Sequence, residues 1–412
     1  MRRIWLLAGW RRGRAACSLS PAGNRPPRQT VRTIYFDYNA TTPLDPEVRE
    51  ATLPFLTEVW GNPSSIHHVG RRARALLDEA RDRAATVLVC KPSEVVFTSG
   101  GTESVNLALM GTARHLKGKG KHLVTSVVEH DAVLHACAYL EKNEGFEVTY
   151  LPVDREGLVS PQTLDTSIRP DTILVSVMAA NNEIGTVQPV AELGAICRRR
   201  GVLFHTDAVQ WFGKEPFSDV HQFNADLVSI CAHKFHGPKG SGALFVRSSL
   251  HPDPILFGGA HENERRAGTE NLAGISGLVS ALERFVREPV FGRERLRPLT
   301  TRLRDAVAQV PGALLMGSRE RCLANTVSFV VDGCDSIALL AGLDMEGICA
   351  SSGSACSAGS LEPSHVVQAL GVGANVANSL VRFSLGRHST MEEVEYVASR
   401  LPEIVARAQG CK

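Results

Sequence analysis

The chain has 412 residues, 43% hydrophobic and 21% charged, with 45 basic and 43 acidic side chains. That length and apolar content exclude a disordered or fibrous chain and suit a globular protein of two or three domains. No stretch approaches the roughly eighteen consecutive apolar residues of a membrane-spanning helix, and the net charge of +2 points neither toward nor away from polyanions; no nucleic-acid or membrane partner is expected.

Residues 1–32 differ in character. They hold eight arginines, from Arg2 to Arg32, and no lysine or acid; the first acidic residue is Asp37. The apolar run from Ile4 to Trp10 is too short to span a bilayer, and more arginine follows it. The composition fits an organellar transit peptide and equally a disordered basic tail or an upstream start in a bacterial gene. The compartment is then the cytoplasm of a bacterium or, alternatively, the mitochondrial matrix.

From Thr33 the chain alternates between strands and helices. Thr33-Ile34-Tyr35-Phe36 reads as a short strand leading into Asp37-Tyr38-Asn39-Ala40-Thr41-Thr42-Pro43. A helix is expected over 46–58, with Asp45 as N-cap and Pro46 at its first position; Pro54 is expected to kink or shorten it. An amphipathic, charge-paired helix follows over 70–88. A strand over 94–98 runs into Ser99-Gly100-Gly101-Thr102 and a helix over 105–116. Further strands are expected over 122–127, 146–151, 172–178, 202–204 and 226–230, with helices between most of them. Such alternation implies a parallel sheet covered on both faces, with ligands at the carboxyl ends of its strands.

Near residues 282–297 the alternation gives way to a charged helical stretch. The expected domains are a large one over 33–285 and a smaller C-terminal α/β one over 286–412, with residues 33–45 open to packing against the smaller. The small domain holds strands at 326–331 and 381–385 and a loop over 351–360. The ten cysteines are scattered without a CxxC pair, which reads as reduced thiols, most of them buried.

The chemistry concentrates at the strand ends. Val202-Leu203-Phe204-His205-Thr206-Asp207 places a carboxylate at one, and Asp226-Leu227-Val228-Ser229-Ile230 leads to His233-Lys234 at the next. A desolvated lysine is a nucleophile suited to an aldehyde cofactor, and an acid suits a pyridinium nitrogen. Separately these residues read as a turn cap and a solvated loop lysine; the pair, in this order, points to pyridoxal phosphate. The Gly100-Gly101 turn before a helix suits a phosphate, or is simply a tight turn. His130, after another strand, suits stacking on a ring and proton transfer, or a surface position. Asn182 and Gln210 suit polar atoms of ring or substrate, or ordinary turn positions. Arg382, in a mostly apolar strand, suits a substrate carboxylate or a structural ion pair. Cys356 lies in Ser351-Ser352-Gly353-Ser354-Ala355-Cys356-Ser357-Ala358-Gly359-Ser360. That small, polar run cannot pack a core and leaves its thiol accessible and reactive.

These segments, with Gly61-Asn62-Pro63-Ser64-Ser65, Glu129-His130, Asn181-Asn182-Glu183-Ile184-Gly185, Arg265 to Asn271 and Leu361-Glu362-Pro363-Ser364, resemble the cysteine desulfurases of the NifS/IscS kind. That group lies within the class-V aminotransferases and has the fold-type-I pyridoxal-phosphate architecture. The resemblance implies that Lys234 holds the cofactor aldehyde and moves the Cα proton, that Asp207 pairs with the ring nitrogen and that His130 stacks on the ring. It implies Asn182 and Gln210 on the hydroxyl side, and Gly101, Thr102 and His233 at the phosphate. Thr269 would reach the phosphate of a second subunit in a homodimer with shared sites, and Asn39 and Arg382 would position L-cysteine, with Asn182. Cys356 would take the sulfur as a persulfide, leaving L-alanine, and pass it to an iron–sulfur scaffold or another acceptor. No resident metal is implied, beyond contact of Cys356 with an iron–sulfur cluster during transfer.

Two features depart from the family. Cys231 stands where a serine usually meets the phosphate, and a thiol is the weaker donor. The chain also ends at Lys412, where longer members carry an extension that docks the scaffold, which puts that docking route in question. Competing readings are a selenocysteine lyase or aminotransferase on the same fold, and a non-catalytic sulfur carrier or scaffold.

Overall fold

The computed structural model describes residues 33–353 and 363–410. The first strand, β1 (Ile34–Tyr35), does not join the large sheet. That sheet holds β2 (Val95–Thr98), β3 (His122–Ser126), β4 (Glu147–Leu151), β5 (Thr172–Ser176), β6 (Leu203–Asp207), β7 (Leu227–Cys231) and β8 (Gly242–Val246), in the order β2-β8-β7-β6-β5-β3-β4. All neighbours in it are parallel except β8, which runs antiparallel to both β2 and β7. β8 is absent from the sequence reading. The Gly-Pro-Lys-Gly run before it turns the chain back on itself, so that Cys231 faces Gly242 across the hairpin.

Two other boundaries moved for a related reason. The apolar pattern ends β6 at Phe204 and β7 at Ile230, yet β6 continues to Asp207 and β7 to Cys231. Pairing on both sides sustains β6 through its polar residues, and His205 is tied to the hydroxyls of Ser176 at 2.8 Å and Ser229 at 3.0 Å. Burial pushes that imidazole down to about 3, so it is neutral.

Side chains alternate across the sheet as strand geometry requires. Val95, Phe97, Val228, Ile230, Ala243 and Phe245 face one core, shared with the helices Pro46–Thr57, His68–Leu88 and Leu272–Phe285. Val96, Leu227, Leu244 and Val246 face the other, under residues 105–113 and the helix Asp131–Glu144. The Asp45 carboxylate caps the first of these helices, accepting from the N–H groups of Glu47 and Val48, and Pro46 occupies its first turn. Pro54 sits inside it without ending it, and the helix stops at Thr57, one residue short of expectation. The helix expected at 105 starts earlier. It opens at Gly101, passes through a π segment over Leu107–Gly111 and finishes as Thr112–Leu116.

The C-terminal part holds β9 (Ala313–Met316), β10 (Thr326–Val331), β11 (Ile348–Cys349) and β12 (Val381–Ser384). Strands β12-β10-β9 form an antiparallel sheet. The helices Arg293–Ala308, Ser336–Met345 and Met391–Gly410 contribute to its core. The start of the described chain belongs to that core. Ile34, Phe36 and Tyr38 pack with Phe329 and Phe383, and β1 pairs in parallel with β11. From Thr33 onward the chain forms one compact unit. Among the described residues no helix is long and apolar enough to cross a membrane.

Candidate active site

The carboxyl ends of β2, β3, β5, β6 and β7, the segment after β1 and Arg382 of β12 converge on one cavity of about 200 Å³. Of the residues chosen from the sequence, all but Thr269 and Cys356 line it: Asn39, Gly101, Thr102, His130, Asn182, Asp207, Gln210, Cys231, His233, Lys234 and Arg382. Thr269 is exposed and outside the cavity, and Cys356 lies outside the described residues.

Asp207 ends β6 and is buried; its Oδ1 accepts from the Val209 N–H at 2.9 Å. Burial pushes its carboxyl up from the usual range, against the opposing pull of that N–H and of His130 and Lys234. Lys234 closes the short 3₁₀ turn after β7, half-buried, and its Nζ donates to the carbonyls of Asn39 and Ala40, both at 2.8 Å. The Thr42 hydroxyl donates to the His233 carbonyl at 3.0 Å and clamps residues 39–42 onto that turn. The His233 ring meets the Thr41 hydroxyl at 3.1 Å, and burial followed by the Lys234 charge lowers it to about 4.

His130 caps the helix Asp131–Glu144. Its Nδ1 accepts from the Ala132 N–H at 3.0 Å, which assigns the proton of the neutral ring to Nε2. The preceding Glu129 was not singled out for a role of its own, although its carboxyl is buried. Its Oε1 accepts from the Ser126 hydroxyl at 2.6 Å and the Met178 N–H at 3.0 Å, while Oε2 has no partner among the described residues. Burial pushes it up to about 8.

At the end of β2, the helix opening at Gly101 has no side-chain cap. A Cβ on Gly101 would stand 2.8 Å from Val209 Cγ2, so only glycine lets this helix start lie against the cavity. The Cys231 thiol faces the N–H groups of Gly101 and His233, and burial pushes it up. The weaker donor noted in the sequence therefore sits at the glycine turn itself.

Arg382 is 1% exposed and pairs with Asp37 at 2.7 Å. It also donates to the Asn182 carbonyl at 2.8 Å, and its buried Nε has no partner among the described residues. The ion-pair reading and the cavity reading thus both apply. Asn39 is committed on every side. Its Nδ2 donates to Thr326 Oγ1 at 2.9 Å and to the Asn182 carbonyl at 3.3 Å, and its Oδ1 accepts from Lys214 at 2.7 Å and Asn325 at 3.0 Å. Its backbone carbonyl is the part that touches Lys234. Gln210 donates through Nε2 to that same carbonyl at 3.0 Å and accepts from Lys214, leaving its second amide hydrogen without a partner among the described residues. Lys214 escaped the sequence reading, since Phe212-Gly213-Lys214-Glu215 looks like an ordinary turn. No cluster of metal-binding side chains occurs among the described residues.

A buried acid, an adjacent lysine, an uncapped helix start and unpaired donors on Gln210 and Arg382 fit pyridoxal phosphate with an amino-acid substrate. The chain matches the aminotransferase class-V family over residues 34–397. It is 48% identical over 377 residues to a protein of Dictyoglomus turgidum named cysteine desulfurase IscS, covering 91% of this chain and 95% of that one. A protein of the same name from Methanosarcina thermophila is also 48% identical, over 379 residues, 92% of this chain and 93% of that one. Among solved structures, one titled NifS-like protein superposes with a TM-score of 0.84 at 37% identity, covering 91% of this chain and all of that one. The chain belongs to the class-V aminotransferase family, on the branch of its IscS and NifS-like relatives.

Proposed function

We propose that this protein is a cysteine desulfurase that works with pyridoxal phosphate. The observation that carries the reading is the placement of Asp207 and Lys234 at the ends of the neighbouring strands β6 and β7, on one cavity with His130 and the Gly101 helix start. In this reading Asp207 holds the ring nitrogen, whose proton would offset the cost of burying the carboxylate. His130 lies against the ring, Gln210 and Asn182 meet its hydroxyl side, and Gly101, Thr102, Cys231 and His233 receive the phosphate. Bound there, the cofactor supplies an aldehyde for amines and an electron sink for charge released at Cα.

The chain's own residues do the remainder. Lys234 takes the substrate Cα proton and returns it. Arg382, which lines the cavity, offers its guanidinium charge to the substrate carboxylate, beside Asn182 and Asn39. The Cys356 thiolate attacks the substrate sulfur; an S–S bond forms as the C–S bond breaks, and the bonding pair leaves with carbon. Protonation of that fragment gives L-alanine, and Cys356 retains a persulfide for an iron–sulfur scaffold or another acceptor. The exposed Thr269 suits contact with the phosphate of a second copy, so a homodimer with shared sites belongs to the proposal. Relatives from bacteria and an archaeon support a cytoplasmic setting over a mitochondrial one.

The test is a visible spectrum before and after L-cysteine, with alanine and sulfide assayed together. The protein should carry a cofactor band that shifts as both products appear. Cys356→Ala should keep the band and release no sulfide; sulfide release by that variant would overturn the persulfide route.

A further inference from the structure

Behind the cavity wall lies a lysine to which the chemistry above gives no part. Lys214, in the turn after β6, is 1% exposed. Its Nζ donates to Asn39 Oδ1 at 2.7 Å and to Gln210 Oε1, and it lies 5.4 Å from the centroid of the Phe291 ring. Burial, then the nearby Lys234 and Arg382 cations, pushes the amine well below its usual range. Lysine is almost never buried without a specific partner, and an apolar residue would fill this space without the desolvation cost. Its donors therefore need a reason.

The reason lies in the two amides. A side-chain amide can turn end for end, exchanging a donor for an acceptor at nearly constant shape. Lys214 donates to both, so in this arrangement Asn39 and Gln210 each present it an oxygen. Their nitrogens then point elsewhere. Asn39 Nδ2 goes to Thr326 and Asn182, and Gln210 Nε2 goes to the Asn39 carbonyl, with its second hydrogen remaining for the cavity. The Asn39 carbonyl is also an acceptor for Lys234 Nζ.

We propose that Lys214 is a positioning residue of the cofactor site, fixing Gln210 with its second amide hydrogen toward the cavity. This assignment rests on the cavity being the pyridoxal phosphate site. Lys214→Met keeps an unbranched side chain, one atom shorter, and removes both donated hydrogen bonds. It strands the buried Gln210 Oε1, leaves Asn39 Oδ1 to Asn325 alone and lets Gln210 rotate, a loss worth about tenfold or more in binding.

The experiment measures pyridoxal phosphate affinity by fluorescence quenching and the pH midpoint of the bound cofactor's visible band. Both are recorded for wild type, Lys214→Met, Gln210→Leu and the double variant. Lys214→Met should weaken affinity about tenfold and move the midpoint. In the Gln210→Leu background the same substitution should do little more, because the amide it orients is gone. A purely structural lysine would give equal increments in both backgrounds, and that result overturns the assignment, as does an unmoved midpoint and affinity in folded Lys214→Met. If Lys214→Met does not fold, Lys214→Gln, which loses the charge and reach of the ammonium, carries the same comparison. Wild type that takes up no pyridoxal phosphate overturns both the cofactor reading and this assignment; normal loading of wild type with no effect of Lys214→Met overturns the assignment alone.

Discussion

Glu129→Gln should make the cofactor-free protein more stable relative to wild type as the pH rises. The wild-type carboxyl is 1% exposed, and burial carries it from the ordinary 4.5 to about 8. Between those values the unfolded chain has released this proton and the folded chain has kept it, so the folded state binds more protons and stability falls with rising pH. The slope is about 1.4 kcal/mol per pH unit, or about 4 kcal/mol between pH 5 and pH 8. Below the unfolded value the penalty is absent; above the folded value it is constant. Glutamine keeps the Oε1 acceptor for Ser126 and Met178 and cannot ionise. Urea unfolding of both proteins across this range should therefore show Glu129→Gln near wild type or slightly below it at pH 5 and several kcal/mol above it at pH 8. A stability difference that stays flat from pH 5 to pH 8.5 would refute the reasoning, since the carboxyl would then titrate alike in both states.

Three further outcomes follow from the same coordinates. Lys234→Ala should lose the visible band, and borohydride reduction should add no cofactor mass to it; a reduced adduct of cofactor mass would place the aldehyde on another lysine. Gly101→Ala drives a methyl to 2.8 Å from Val209 Cγ2, so it should lower stability by about 1–3 kcal/mol and weaken cofactor binding in the same titration; wild-type values for both would show that the helix start has room. Glu262→Ala removes a carboxylate 1% exposed that holds Arg81 at 2.6 Å and accepts from the Phe97 N–H at 2.9 Å. It should cost about 3–5 kcal/mol in urea unfolding, and a cost below about 1 kcal/mol would show that the pair is solvated.

How far the chain could be read without coordinates depended on where each residue's partners sit in the sequence. Asp207 and Lys234 stand at the ends of apolar runs, and a parallel sheet collects strand ends at one edge, so local pattern sufficed. Lys214 has the opposite character. Nothing near it in sequence announces burial, because Asn39 and Phe291, which enclose it, lie far away along the chain. Asn39 was placed at the site from its motif, but the full commitment of its amide became visible only with Asn325 and Thr326 beside it. Strand β8 was missed because five buried residues after a glycine turn give no period that separates an antiparallel return from a loop. The end of β6 falls beyond its apolar run because hydrophobicity reports burial only for apolar residues, and His205, Thr206 and Asp207 are buried while polar.

The pairing of β1 with β11 bears on how the protein is made. During synthesis residues 34–39 leave the ribosome early, yet Ile34 pairs with Ile348 and the Asn39 N–H donates to the Ser384 hydroxyl. At about 5–20 residues per second the opening segment waits tens of seconds for these partners. Throughout that interval Asn39 lacks Asn325, Thr326 and Ser384, and Arg382 is missing from the cavity. A nascent chain can complete the large sheet once β8 has emerged, but it cannot complete the cavity around Lys234 until almost the whole polypeptide is present. Incomplete translation products are thereby barred from a finished catalytic pocket.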